Sequence, residues 1–209
     1  MDVRKRDRGA TEERVLDAAA ELLARDGAAA LGVNALAKEA GCDKQLIYRY
    51  FGGLDGVMEA LGERVAERLA QALDKHRPVG GSAAEVNAAL ARGLLAAYRA
   101  DPLLGRLKAA EWSSPGGALA GFAKARGQVL SAWAAASRPM PEDGPPVRDT
   151  AALTALVVGA IEAAALSAAS TGAMAGVPLK SDADWARIEA GLDLLVAAAF
   201  GRSGEGEGA

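Results

Sequence analysis

Apolar residues recur along this chain three and four positions apart, the spacing that gathers them on one face of an α-helix, and they never alternate over a strand-length run. Val15, Ala19, Leu22 and Leu23 form one such stripe. It is opened by Thr11 as an N-cap, with Glu12 and Glu13 in the first turn, and closed at Gly27. Val57, Leu61, Val65, Leu69 and Leu73 form a longer stripe from Leu54 to about His76, stopping before Pro78. After PVGGS at 78–82, with Ser82 as cap, Val86, Leu90, Leu94 and Tyr98 mark a helix that ends before Asp101-Pro102. Further helices are expected at about 102–112, around Leu119, Phe122, Val129 and Trp133, at about 149–171 and at 182–200. SSPGG at 113–117 and RPMPEDGPP at 138–146 read as loops, and GRSGEGEGA at 201–209 as a disordered tail. The pattern predicts an all-α fold of about nine helices.

Between the first two stripes, residues 33–51, VNALAKEAGCDKQLIYRYF, read as two short helices joined by a tight turn at Gly41. Leu36 and Ala37 on the first, with Ile47 and Phe51 on the second, share the inward face. Packing them leaves Lys44, Gln45, Tyr48 and Arg49 outward near the start of the second helix, where a recognition helix meets base edges and phosphates. Asp43 stands as its N-cap. A glutamine such as Gln45 can pair bidentately with adenine.

Composition narrows the mode of binding. A net charge of −3 and a pI near 5.3 exclude a polycation that coats nucleic acid indiscriminately. Residues 1–51 carry nine basic and nine acidic side chains, so positive charge must be arranged locally. Lys44 and Arg49 lie on the second short helix, and Arg4, Lys5, Arg6 and Arg8 form a leading arm that either reaches a minor groove or is a plain disordered end. Cys42 is the sole cysteine and His76 the sole histidine, so neither an intrachain disulfide nor a Cys/His metal cluster can form. With no Ser/His/acid set and no phosphate-cradling glycine loop, the chain reads as a non-enzyme without a cofactor. The opening residues lack the apolar run of a signal peptide, and a cytoplasmic setting is expected. The segment 151–170, AALTALVVGAIEAAALSAAS, is long enough to span a bilayer, but central Glu162 and the weak insertion energy of alanine favour a protein-packed helix.

Three features together resemble the TetR family of transcriptional regulators: a first helix ending in Arg25-Asp26-Gly27, the LAxxxG segment from Leu36 to Gly41, and LIYRYF from Leu46 to Phe51. The resemblance implies a helix-turn-helix DNA-binding domain at 1–53, followed by a helical ligand-binding and dimerisation domain at 54–200. It places Asn34 where the first helix of the motif reaches a base, and Lys44, Gln45, Leu46 and Tyr48 at reading positions. Arg49 and Tyr50 match positions used for phosphate or groove contacts. Two departures stand out: Gly32 in place of a capping Ser or Thr, and Leu54 where the family often has a lysine. The resemblance also implies a homodimer through the last two long helices, whose small side chains permit close approach.

Beyond residue 97, a few large rings stand in an alanine-rich setting that could border a cavity. Trp112, Phe122 and Trp133 are the candidate walls, with Glu111 or Arg126 as polar partners. The expected function is a cytoplasmic repressor, released from a palindromic double-stranded DNA operator by a small, largely apolar effector. A helical small-molecule carrier on the same fold, without DNA function, is the alternative.

Overall fold

The computed structural model describes residues 3–78, 80–113, 120–137 and 149–200. Among them are nine α-helices and one two-stranded hairpin: α1 Val3–Asp26, α2 Val33–Glu39, α3 Lys44–Phe51, α4 Leu54–Asp74, α5 Ala83–Ala100, α6 Pro102–Ser113, α7 Ala120–Ala136, α8 Thr150–Ser170, β1 Ala173–Met174, β2 Val177–Pro178 and α9 Asp182–Phe200. The all-α expectation holds. The loop at 138–146, the tail at 201–209, residues 114–117 of SSPGG and Leu119 lie outside the described residues.

The packing stripes behave as helical periodicity requires. Val15, Ala19, Leu22 and Leu23 are buried, as are Val57, Leu61, Val65, Leu69 and Leu73, and Val86, Leu90, Leu94 and Tyr98. The first helix, however, opens two turns before Thr11, at Val3. Arg, Lys and Glu are good helix formers, Arg8 and Glu12 pair at i,i+4 on the extended face, and nothing between 3 and 11 forces a break. Thr11 is buried inside the helix and accepts a bond from Arg14 Nη2 at 3.3 Å. The leading arm is therefore helical backbone from Val3 onward, not an extended end.

Two compact units make up the chain: Met1–Ala70 with Asp101–Ser131, and Gln71–Ala100 with Ala132–Ala209. In the first, α1 packs on α2 and α6, and α2 on α3. Arg64 of α4 reaches α1 at Glu13 (3.2 Å) and Asp17 (2.8 Å). Close backbone approach between α4 and α7 is made at glycines. A Cβ built on Gly62 would lie 2.8 Å from Phe122 Cα, and one on Gly121 would lie 3.0 Å from Glu59 Cγ. Larger residues would hold these helices apart.

In the second unit α5 packs on α8 and α9. The Tyr98 hydroxyl donates to Glu162 Oε1 at 3.2 Å, both residues being buried, and Thr154 Oγ1 donates to Asn87 Oδ1 at 2.8 Å. These bonds satisfy the polar groups that interrupt apolar faces. Helix α8 is long and apolar enough to cross a membrane by length and composition, yet its Val157, Ile161, Glu162, Ala164 and Ala165 are buried inside the protein. Ser82 and Glu85 form the reciprocal capping box of α5: Glu85 Oε2 accepts from Ser82 N at 2.8 Å and Ser82 Oγ from Glu85 N at 3.3 Å. Ser181 and Asp184 repeat the device on α9.

The hairpin is an element that the sequence pattern does not predict. Its strands are two residues long, too short to show alternation, and Ala175 (φ 47°) and Gly176 (φ 82°) make the left-handed turn that favours this connection.

Candidate nucleic-acid interface

The α2–turn–α3 segment is built by local hydrogen bonding. At the end of α2, Cys42 N donates to Ala37 O (3.0 Å) and Gly41 N to Lys38 O (3.3 Å), the two bonds of a Schellman motif. The motif needs a left-handed residue, and Gly41 supplies it at φ 59°. One residue later the Asp43 carboxylate accepts from Gln45 N at 2.8 Å and caps α3. Gly52, also left-handed, closes α3 by donating to Tyr48 O at 2.9 Å. Gly32 caps α2 with extended backbone and no side-chain bond, as its lack of a hydroxyl dictates.

Inside this frame Leu36 and Ile47 are fully buried and Ala40 nearly so, while Ala37 and Phe51 are half-buried. Lys44, Gln45, Tyr48 and Arg49 are exposed on α3, Tyr48 to 57%. Asn34 is exposed on α2, and Leu46 and Tyr50 are half-buried. A large ring left in water, flanked by two cations and an amide, is a surface shaped for contact.

Electrostatics resolve the apparent neutrality of residues 1–51. Four of the nine carboxylates in residues 1–51 are engaged by arginines away from α3: Glu39 takes a two-bond contact from Arg25 (3.1 Å each), Asp26 pairs with the same arginine at 3.0 Å, and Glu13 and Asp17 hold Arg64. The bonds from Arg25 pull Glu39 below the usual carboxylate range and raise Arg25 in turn. Glu12 holds Arg8 at 2.7 Å, and Asp43 is committed to its cap. Lys44 and Arg49 form no ion pair among the described residues. Net charge therefore understates the positive character of the α3 face. Burial pushes the Cys42 thiol up, away from the reactive thiolate.

One residue that matters here is absent from the sequence-based reading, and another has a setting that the sequence does not reveal. Gly56 is the absent one: a Cβ there would sit 1.7 Å from Phe51 O, so glycine alone lets α4 start this close to the end of α3. An isolated glycine in a helical pattern is the available signal. Arg8, which the sequence places only in a basic leading arm, has its guanidinium 5.2 Å from the centre of the Tyr50 ring.

The five candidate pocket residues fall in different settings. Glu111 and Trp112 on α6, with Phe122 and Arg126 on α7, belong to the first unit, whereas Trp133 belongs to the second. Glu111 pairs with Arg126 (3.2 Å) and with buried Lys108 (2.9 Å). Phe122 is fully buried, and Arg126 lies over its ring at 5.8 Å. Trp112 is 57% exposed, with the Lys108 ammonium 5.5 Å from its ring. The Trp133 indole N–H is used by Leu73 O at 3.2 Å in a buried contact. Among the described residues no cluster of His, Cys, Asp and Glu could hold a metal ion.

Comparison with known proteins places this geometry. Residues 15–61 match the family described as bacterial regulatory proteins, tetR family. An uncharacterized HTH-type transcriptional regulator of Mycobacterium tuberculosis, MT1294, is 39% identical over 57 residues; the match covers 27% of this chain and 28% of that protein's length. Across most of the chain the likeness is one of fold. The transcriptional regulator FadR from Bacillus subtilis, solved in complex with stearoyl-CoA, superposes with a TM-score of 0.62 at 16% identity, covering 90% of this chain and 98% of that one. A TetR-family transcriptional regulator from Streptomyces coelicolor gives 0.58 at 22% identity, with 90% and 99% covered. The helix-turn-helix segment thus matches the tetR family of bacterial regulatory proteins over residues 15–61, and the chain as a whole takes the fold of solved TetR-family regulators.

Proposed function

We propose that this protein is a sequence-specific DNA-binding regulator of transcription, working as a repressor that leaves a palindromic operator when a small, largely apolar ligand binds. The observation that carries the reading is the α3 face: Lys44, Gln45, Tyr48 and Arg49 stand exposed and free of carboxylate partners on a capped helix whose other side is locked by Ile47. Residues 1–53 serve as the DNA head, with Asn34, Leu46 and Tyr50 completing its contacts. Gln45 reads a base, and Arg49 and Tyr50 meet the backbone.

Residues 54–200 serve as effector and dimer body. Leu156 on α8 and Leu194 and Leu195 on α9 are 70%, 73% and 62% exposed, an apolar surface on the two helices assigned to the homodimer. A twofold pair of heads then meets half-sites about 34 Å apart. Trp112, Phe122, Glu111 and Arg126 are taken as effector-side residues, and Trp133 as support. An apolar effector accords with the stearoyl-CoA bound by the Bacillus FadR. Such a ligand releases DNA only by favouring a dimer whose heads no longer match the operator spacing. The regulator works in the cytoplasm and is not an enzyme.

Selection from a random double-stranded DNA pool by the purified protein at physiological salt tests the reading. Enrichment of a palindrome is expected. A folded dimer that enriches nothing would instead favour the carrier, a reading kept in play by the hydroxyl missing at Gly32.

A further inference from the structure

Helix α1 brings a cation to the recognition surface. The guanidinium carbon of Arg8 lies 5.2 Å from the centre of the Tyr50 ring, and that of Arg49 lies 5.8 Å from the same centre. Two arginines therefore gather at one half-buried phenol ring in the last turn of α3. An arginine packed on a ring keeps its in-plane N–H fork for a partner, and the paired oxygens of a phosphate are a partner that fork fits. The Arg8 side chain is 57% exposed, so the fork is within reach of a ligand from solvent. Its partner in the free protein is Glu12, one turn along α1 at 2.7 Å, a surface pair of the weak kind that a phosphate can displace.

We propose that Arg8 is a DNA-backbone contact, held beside Arg49 by the Tyr50 ring and occupied by Glu12 until a phosphate replaces the carboxylate. This rests on the DNA-binding reading above and extends it to a residue of α1, outside the helix-turn-helix. Two roles follow. Arg8 adds one sequence-independent anchor to the head, and Glu12 restrains affinity, because its carboxylate competes for the guanidinium and remains near the phosphate once displaced.

The test is the dissociation constant as a function of salt for the wild type, Arg8→Ala, Arg8→Lys and Glu12→Gln, on a short random-sequence duplex and on the sequence enriched by selection. Arg8→Ala is expected to lower the log–log salt slope by about 1 and to weaken both duplexes alike, roughly three- to tenfold at moderate salt, without altering base preference. Arg8→Lys should keep the slope, since it keeps the charge. Glu12→Gln should tighten both duplexes about two- to threefold by removing the competitor. An unchanged slope in Arg8→Ala overturns the proposal, provided the wild type binds with a normal salt dependence. Weaker binding by Glu12→Gln also overturns it, because Arg8 would then act only through its pair on α1. A wild type that binds neither duplex removes the DNA-binding reading itself, and this inference with it.

Discussion

Alanine at Gly62 and at Gly127 should move stability in opposite directions, although both are the same substitution inside a helix of the first unit. Intrinsic propensity alone favours alanine by about 1 kcal/mol at either site. Gly127 is exposed with nothing within 4 Å of a built Cβ, so the full gain is expected there. At Gly62 the new methyl would meet Phe122 Cα and Cβ at 2.8 Å and Phe122 N at 3.0 Å. Ordinary carbon contacts lie at about 3.5–4.0 Å, and a backbone neighbour cannot swing aside, so α4 and α7 must separate by roughly 1 Å. Phe122 is completely buried, and separation loosens its contacts as well. Overpacking of this kind costs about 1–3 kcal/mol. Set against the propensity gain and with the loosened contacts added, Gly62→Ala should lose about 1–2 kcal/mol, leaving the two variants about 2–3 kcal/mol apart. Urea denaturation at one fixed protein concentration measures the difference without confusing it with mass action. A Gly62→Ala protein as stable as the wild type would refute the close α4–α7 approach.

Three further outcomes are expected. Replacing Leu156 and Leu194 together by glutamate should turn the proposed dimer into a monomer by light scattering, because each leucine covered by the partner in that interface would contribute about 1.5–3 kcal/mol and the twofold axis doubles the loss; an unchanged mass would move the interface elsewhere. Ala175→Gly should raise stability by roughly 0.5–1 kcal/mol, since a left-handed alanine is strained where glycine is not, and a lower melting temperature would count against the turn geometry. Glu85 and Asp184 are pulled below their ordinary values of 4.5 and 3.8 by bonds from Ser82 and Ser181. Because the folded value is the lower one, their contribution is complete above those ordinary values and is lost as pH falls through the folded ones. The melting temperature should therefore hold from neutrality to about pH 5 and then fall, with a shallower fall in Glu85→Gln; an identical acid limb in that variant would show the cap to be idle.

What could be read in the residues, and what could not, divides by the range over which each feature is decided. The recognition turn was legible because its causes are local: Gly41 must be left-handed, Asp43 caps the amide two residues on, and Leu36 and Ile47 can be buried together only if Lys44, Gln45, Tyr48 and Arg49 face out. The buried faces of α1, α4 and α5 were legible for the same reason, since a helix's own period fixes which residues share a side. The count of nine against nine in residues 1–51 shows that positive charge must be arranged locally but not how, because it treats every carboxylate as equally free. Pairing decides otherwise, and it is long-range: Arg64 collects Glu13 and Asp17 from α1, and Arg25 collects Glu39 from α2. The start of the first helix was misplaced for a related reason. Thr11 is a sound N-cap in isolation, but a partner ring at Tyr50 and an ion pair to Glu12 both place Arg8 on a continuing helix. Glycines within α4 and α7 show the limit most sharply. A stripe of Val57, Leu61, Val65 and Leu69 tells which side of α4 faces the core, yet gives no distance to the next backbone. Only that distance separates Gly62, where a methyl has no room, from Gly127, where it has all the room it needs.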